Sequence, residues 1–254
     1  VPTDLTLAAL ACLAAFLAGF VDAVAGGGGL IQLPALLVLF PGEPVPLLLG
    51  TNKVSSIAGT AAALLRYVRH RVPIPWGEVG PAAAAAFAGS FAGARLAAEL
   101  PGAWMRPVVV VLLAGVAAFT FLNKGFGVDG RAPVSRPLLA AVLLGGALGV
   151  YDGFFGPGTG SFLLFGFIAL LGLDFLGASA SAKVVNVATN LAAILAFAWS
   201  GHIWWGLALP MAACNMAGSR FGSQLAIAKG APFVRRLFLT VVLALLGRMA
   251  WELR

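Results

Sequence analysis

Residues 176–199 run for 24 positions with one ionisable side chain, Lys183. A helix of that length measures about 36 Å, and a bilayer core of about 30 Å needs about 20 apolar helical residues. The run has many companions. Helices are expected near 5–25, 47–66, 79–98, 105–122, 137–152, 176–199, 205–225 and 233–250. Two more apolar stretches, 28–40 and 160–172, reach only about 20 Å each and do not cross the core unaided. A soluble globule would need charged side chains over its outside. Here charged residues make up 10% and hydrophobic ones 61%, against about 25% and about 45–50% in ordinary soluble domains. A soluble enzyme, a disordered chain and a nucleic-acid-binding domain are thereby excluded. What remains is an all-α polytopic membrane protein, with the lipid bilayer as its surroundings.

The net charge of +7 does not point to nucleic acid, because no basic run is interleaved with stacking aromatics. It reads instead as a loop bias that sets orientation. Arg66, Arg69 and Arg71 fall in one loop, Lys124, Arg131 and Arg136 in a second, and Lys229, Arg235 and Arg236 in a third. Alternating segments put these loops on one side, the cytoplasmic one, and both termini outside. Arg106, Arg248, Arg254, Asp4, Glu43 and Glu99 fall on the other side. The first apolar segment has no basic stretch before it and no clear cleavage site, so it reads as a membrane segment and not a signal peptide. Cys12 and Cys214 form no CxxC or Cys/His cluster, so no metal or cofactor is expected.

Sliding the chain along itself by 130 residues aligns its polar landmarks. Gly19 meets Gly149, Asp22 meets Asp152, Gly26 meets Gly156, Gly28 meets Gly158 and Lys53 meets Lys183. The expected organisation is a first repeat over 1–122, a cytoplasmic linker over 123–136 and a second repeat over 137–254. Each repeat carries about five membrane segments. An odd number inserts the second copy upside down, so the repeats have inverted topology, a plan typical of secondary transporters with a midplane site at the repeat interface.

Two glycine-rich breaks precede the short helices, Gly26-Gly27-Gly28-Gly29 and Gly156-Pro157-Gly158-Thr159-Gly160, the latter followed by Ser161. Irregular backbone at membrane depth survives only against protein or a water-filled cavity. A broken or re-entrant helix starting there offers free N–H groups and a positive dipole end to an anion. Tight packing through small residues is the competing explanation.

Lys53 and Lys183 lie six or seven residues inside apolar helices, where an ionisable group is costly and usually functional. Snorkelling to the interface competes. Around Lys53 stand Thr51, Asn52, Ser55 and Ser56, and around Lys183 stand Ser179, Ser181, Asn186 and Asn190. Lys183, Asn186 and Asn190 share one helix face, turned to a cavity or to a partner helix. Asp22 and Asp152 sit near helix C-termini, where the dipole disfavours a carboxylate. They bond loop N–H groups, pair with a lysine or carry a coupling proton; pairing of both with both lysines would leave an anion little net charge to find. Arg95 and Arg220 read as structural, His70 and His202 as solvated loop residues, and Trp76, Trp204 and Trp205 as interfacial anchors.

The segment Gly19-Phe20-Val21-Asp22-Ala23-Val24-Ala25-Gly26-Gly27-Gly28-Gly29, with Gly50-Thr51-Asn52-Lys53 after it, resembles the first signature of the TauE/SafE sulfite exporter family. Tyr151-Asp152-Gly153-Phe154-Phe155-Gly156-Pro157-Gly158-Thr159-Gly160-Ser161 resembles the second, continued by Ser179 to Asn186, Asn190 and Ser200-Gly201-His202. The resemblance covers essentially the whole chain. It implies a bacterial inner-membrane transporter of sulfite, sulfonates or related anions. Ser56 stands where the second copy has Asn186, so the half-sites are unequal.

The expected function is a secondary transporter exporting sulfite or small organosulfonates by alternating access, with a proton or another ion as coupling partner. Substrate contacts are expected from Lys53, Lys183, Thr51, Asn52, Asn186, Asn190, Gly28, Gly29, Gly158, Thr159, Gly160 and Ser161, with Asp22 and Asp152 as coupling or structural carboxylates. A channel or permease for a carboxylate or other oxyanion is the alternative. An intramembrane enzyme lacks a nucleophile–base pair and a metal set.

Overall fold

The computed structural model describes residues 4–100, 105, 107–115 and 133–229. The expected helix at 233–250, most of the linker, and Arg106, Lys124, Arg131, Arg235, Arg236, Arg248 and Arg254 lie outside the described residues.

The described residues form helices joined by short turns, with no strand among them. In chain order these are α1 (Leu5–Ala25), α2 (Gly29–Leu39), α3 (Val45–Arg69), α4 (Trp76–Glu99), α5 (107–115), α6 (Pro137–Phe154), α7 (Thr159–Leu171), α8 (Phe175–Trp199) and α9 (Trp205–Lys229). Local chemistry sets many of the boundaries. The Asp4 carboxylate accepts from Thr6 N–H at 2.8 Å and starts α1. That bond also holds its pKa below the usual aspartate value. Asp174 accepts from Gly177 N–H at 2.8 Å and starts α8, while Pro44 and Pro137 occupy helix starts, where a missing N–H costs nothing. Glycines in the left-handed region end α1 (Gly26, φ 74°) and α7 (Gly172, φ 66°).

Among the described helices, Leu5–Ala23, Pro137–Phe154 and Phe175–Trp199 are long and apolar enough to cross a membrane. The 25-residue α3 has the length but carries Thr51, Asn52, Lys53, Ser55 and Thr60 inside it, all buried. Its polar residues therefore face protein. The two short helices, 11 and 13 residues, measure about 17 and 20 Å, too short to span alone.

Packing pairs distant parts of the chain. α1 lies along α9 and α6 along α4, while α3 and α8 meet each other and also touch α9 and α4 respectively. Glycine faces make the first two contacts possible. A Cβ on Gly153 would stand 1.9 Å from the Ser90 carbonyl oxygen, and one on Gly149 2.4 Å from that of Ala86. On the α1–α9 side, Gly218 would meet the Phe16 carbonyl oxygen in the same way. Backbone-to-backbone approach through small residues is the usual glue between helices in lipid. The two short helices are seated inside, with Leu30, Ile31, Leu33, Leu36, Leu163 and Phe167 almost wholly buried.

Arg66 and Arg69 belong to the last turn of α3, and Arg66 donates to Arg220 O at 3.0 Å and Ser223 Oγ at 3.1 Å. Trp76 and Trp205 are exposed at helix starts. Arg95 pairs with Glu99 at 3.0 Å on the surface. His202 departs from expectation. Its Nδ1 is buried without a hydrogen-bond partner among the described residues.

Candidate functional site

The two glycine-rich breaks pack on each other in the interior. Ser161 N–H, in the first turn of α7, donates to the Gly26 carbonyl at the end of α1 at 3.1 Å. The positive end of one helix thus meets the negative end of another. Gly156 (φ 98°) and Gly158 (φ 87°) hold left-handed conformations that other side chains resist. Tyr151 braces the second break, donating from its hydroxyl to Pro157 O at 2.6 Å while its ring lies edge-on to Phe155 and Phe162.

Each lysine finds its aspartate at the other break. Lys53 Nζ on α3 donates to Asp152 Oδ2 on α6 at 2.7 Å. Lys183 Nζ on α8 donates to both Asp22 Oδ2 and Asp22 O on α1, each at 2.5 Å. Both lysine side chains are 2% exposed, so neither snorkels. Desolvating an ammonium costs several kcal/mol, about as much as a paired carboxylate returns. Asp152 is 6% exposed and Asp22 19%, so the two pairs sit in unequal surroundings. Together the four groups sum to zero formal charge.

A cavity of about 30 Å³ lies between the breaks, room for about two waters. Its walls hold Asp22, Asp152 and Lys53, with Asn52, Ser56, Thr60, Asn186 and Asn190, and the break residues Gly26, Gly29, Gly156, Gly158, Thr159 and Gly160. Lys183 is not among them. Asn52 Oδ1 is buried and has no hydrogen-bond partner among the described residues. Asn190 Nδ2 donates to Asn186 O at 2.8 Å, and Thr60 reaches Asp22 Oδ2 at 3.4 Å.

Thr51, Gly28 and Ser161, expected as substrate contacts, are not among the residues that line the cavity. Thr51 donates to Leu47 O at 2.7 Å and accepts from Trp204 N–H at 3.0 Å, tying α3 to the start of α9. A Cβ on Gly28 would meet Ala18 O, so Gly28 packs on α1. Ser161 contributes its N–H to Gly26. The helix starts offer fewer free donors than the sequence suggests. Leu30, Ile31 and Thr159 N–H groups are taken by the carbonyls of Gly27, Gly28 and Gly156.

A second polar cluster escaped sequence reasoning. Gln32 Oε1 on α2 accepts from Asn215 Nδ2 at 2.8 Å and Ser55 Oγ at 3.2 Å, and Ser219 Oγ donates to Gly59 O at 2.7 Å. Gln32 is a lone amide in an apolar stretch, and Asn215, Ser219 and Ser223 recur every four residues, so both signals were present in the sequence.

A model of the family described as Sulfite exporter TauE/SafE matches residues 11–249. The chain is 38% identical to a Sinorhizobium protein named "Probable membrane transporter protein ORF9", over 96% of this chain and 92% of that one. It is 33% identical to a "Probable membrane transporter protein" of Haemophilus influenzae, over 97% and 95%. It is 31% identical to "Probable membrane transporter protein YfcA" of Escherichia coli K12, over 94% and 87%. No solved structure matches. Apolar helices of spanning length, glycine-rich breaks and a match over nearly the whole chain agree: this protein belongs to the TauE/SafE sulfite exporter family, a family of membrane transporters.

Proposed function

We propose that the protein is a secondary transporter that exports sulfite or small organosulfonate anions across the bacterial inner membrane by alternating access. The observation that carries this reading is the polar cavity between the two breaks, lined by Asp22, Asp152, Lys53 and three asparagines inside an apolar helix bundle. Polar walls at such depth mark a solute path. Two inverted-topology repeats, 1–122 and 137–254, joined by a cytoplasmic linker over 123–136, explain the pairing of elements. The α1–α9 and α4–α6 contacts exchange under the 130-residue offset, as do the Lys53–Asp152 and Lys183–Asp22 pairs. Rocking one group of helices against the other would open the cavity to each side in turn.

The balanced charge bears on coupling. An anion entering a cluster of zero formal charge leaves it negative unless a cation or proton accompanies it or a carboxylate moves away. The reading therefore includes a coupling ion, with both termini on the outer side of the inner membrane and the basic loops on its cytoplasmic side. Purified protein in liposomes tests it with labelled sulfite, methanesulfonate and acetate under imposed proton and sodium gradients. Concentrative flux of sulfite or sulfonate is the expected result. Flux of acetate alone removes the sulfur assignment, and flux that never concentrates solute makes the protein a channel.

A further inference from the structure

The two lysines match each other in sequence, yet their surroundings differ. Lys53 Nζ makes one hydrogen bond among the described residues, to Asp152, and lines the cavity. An ammonium has three donors, so two remain for a ligand. Gly156 keeps space clear for it, since a Cβ there would stand 2.7 Å from Lys53 Nζ. Asn52, one residue along α3, lines the same cavity, and its amide Nδ2 is the donor it can offer an oxyanion, since Oδ1 only accepts. Lys183 is arranged otherwise. It grips both Asp22 Oδ2 and the Asp22 carbonyl and does not line the cavity. The Asp22 carbonyl already accepts Gly26 N–H at 3.1 Å. The ammonium thus caps the C-terminal turn of α1, where a cation opposes the helix dipole.

We infer that Lys53 and Asn52 contact the transported oxyanion, while Lys183 is a positioning residue that fastens Asp22 and the end of α1 against α8. This assignment rests on the proposed function and divides its site. Two spare ammonium donors suit the oxygens of a small oxyanion. Tyr67 supports the positioning role, its hydroxyl donating to Ala23 O at 3.2 Å and meeting Ser179 Oγ at 3.1 Å, which ties the same turn of α1 to α8.

The test uses full-length protein and sodium sulfite, with anion-induced thermal stabilisation as the binding readout and liposome flux for KM and kcat. Lys53→Met leaves Asp152 unpaired, so the Lys53→Met/Asp152→Asn double variant guards against misfolding. Loss of a charge-assisted hydrogen bond weakens binding about tenfold or more. The expected result is a sulfite affinity about tenfold or more weaker in the double variant, with Asn52→Ala weaker in the same direction. Lys183→Met should lower kcat with KM within about twofold of the parent, and Lys183→Arg should restore kcat by renewing the cap. Parental sulfite affinity in the Lys53→Met/Asp152→Asn protein overturns the assignment. So does an equal loss of affinity in Lys183→Met. Absence of both stabilisation and flux in the unsubstituted protein overturns the proposed function itself.

Discussion

Replacing Gly153 by alanine tests how tightly α4 and α6 are joined. The added Cβ would stand 1.9 Å from Ser90 O, 2.6 Å from its carbonyl carbon and 2.7 Å from its Cα. All three atoms are backbone, so no rotamer change relieves the overlap. Ordinary contact begins near 3.4 Å, and the helices must therefore separate locally by about 1.5 Å. The separation opens the neighbouring Gly149–Ala86 and Gly93–Val150 contacts. Overpacking costs about 1–3 kcal/mol in well-packed interiors, and a backbone collision belongs at the upper end. About 3 kcal/mol lowers the melting temperature by roughly 6–12 °C. Gly146 on the same helix supplies the control. Its nearest neighbour would be Ala85 Cβ at 3.9 Å, so Gly146→Ala should leave stability unchanged. Scanning fluorimetry of both variants in one detergent reads the difference. Gly153→Ala melting with the parent protein would refute backbone contact as the basis of the α4–α6 interface.

Gly156→Ala places a side chain at φ 98° and 2.7 Å from Lys53 Nζ, so sulfite flux should fall severely while the protein still purifies; parental flux would contradict this. Asn215→Ala leaves Gln32 Oε1 with Ser55 alone and should cost about 1–3 kcal/mol, read as a lowered denaturation midpoint. Arg95→Gln removes a surface pair with Glu99 and should shift stability by less than about 1 kcal/mol, read by the same denaturation.

Much of the architecture was legible because lipid-facing helices announce themselves. Apolar runs placed α1, α4, α8 and α9 within a few residues, and glycine clusters located breaks that the positive φ values of Gly26, Gly156 and Gly158 explain. Burial of Lys53 and Lys183 followed from their depth within apolar helices. Pairing with Asp22 and Asp152 was one of three readings, and which aspartate meets which lysine did not follow. Asp152 is 99 residues from Lys53, and Asp22 is 161 from Lys183; periodicity gives the face of a helix but not the helix opposite. Nor did the 130-residue match reveal that Lys183 stands behind Asp22 while Lys53 faces the cavity. That difference arises from helix placement, which identical residue types do not encode. Gln32 went unused because one amide in an eleven-residue apolar helix looks incidental until Asn215 and Ser55 are set beside it.

The seating of α1 against α9 bears on how the molecule is made. The groove that receives Gly19 and Phe16 is built by Asn215 and Gly218, about 190 residues downstream of the end of α1. A ribosome adding about 5–20 residues per second takes roughly 10–40 s to cover that distance. Throughout that interval the first helix waits in the bilayer with Gly19 uncovered, and Asp22 lacks its counter-ion until α8 arrives. A nascent chain halted before α9 would therefore be a substrate for membrane quality control.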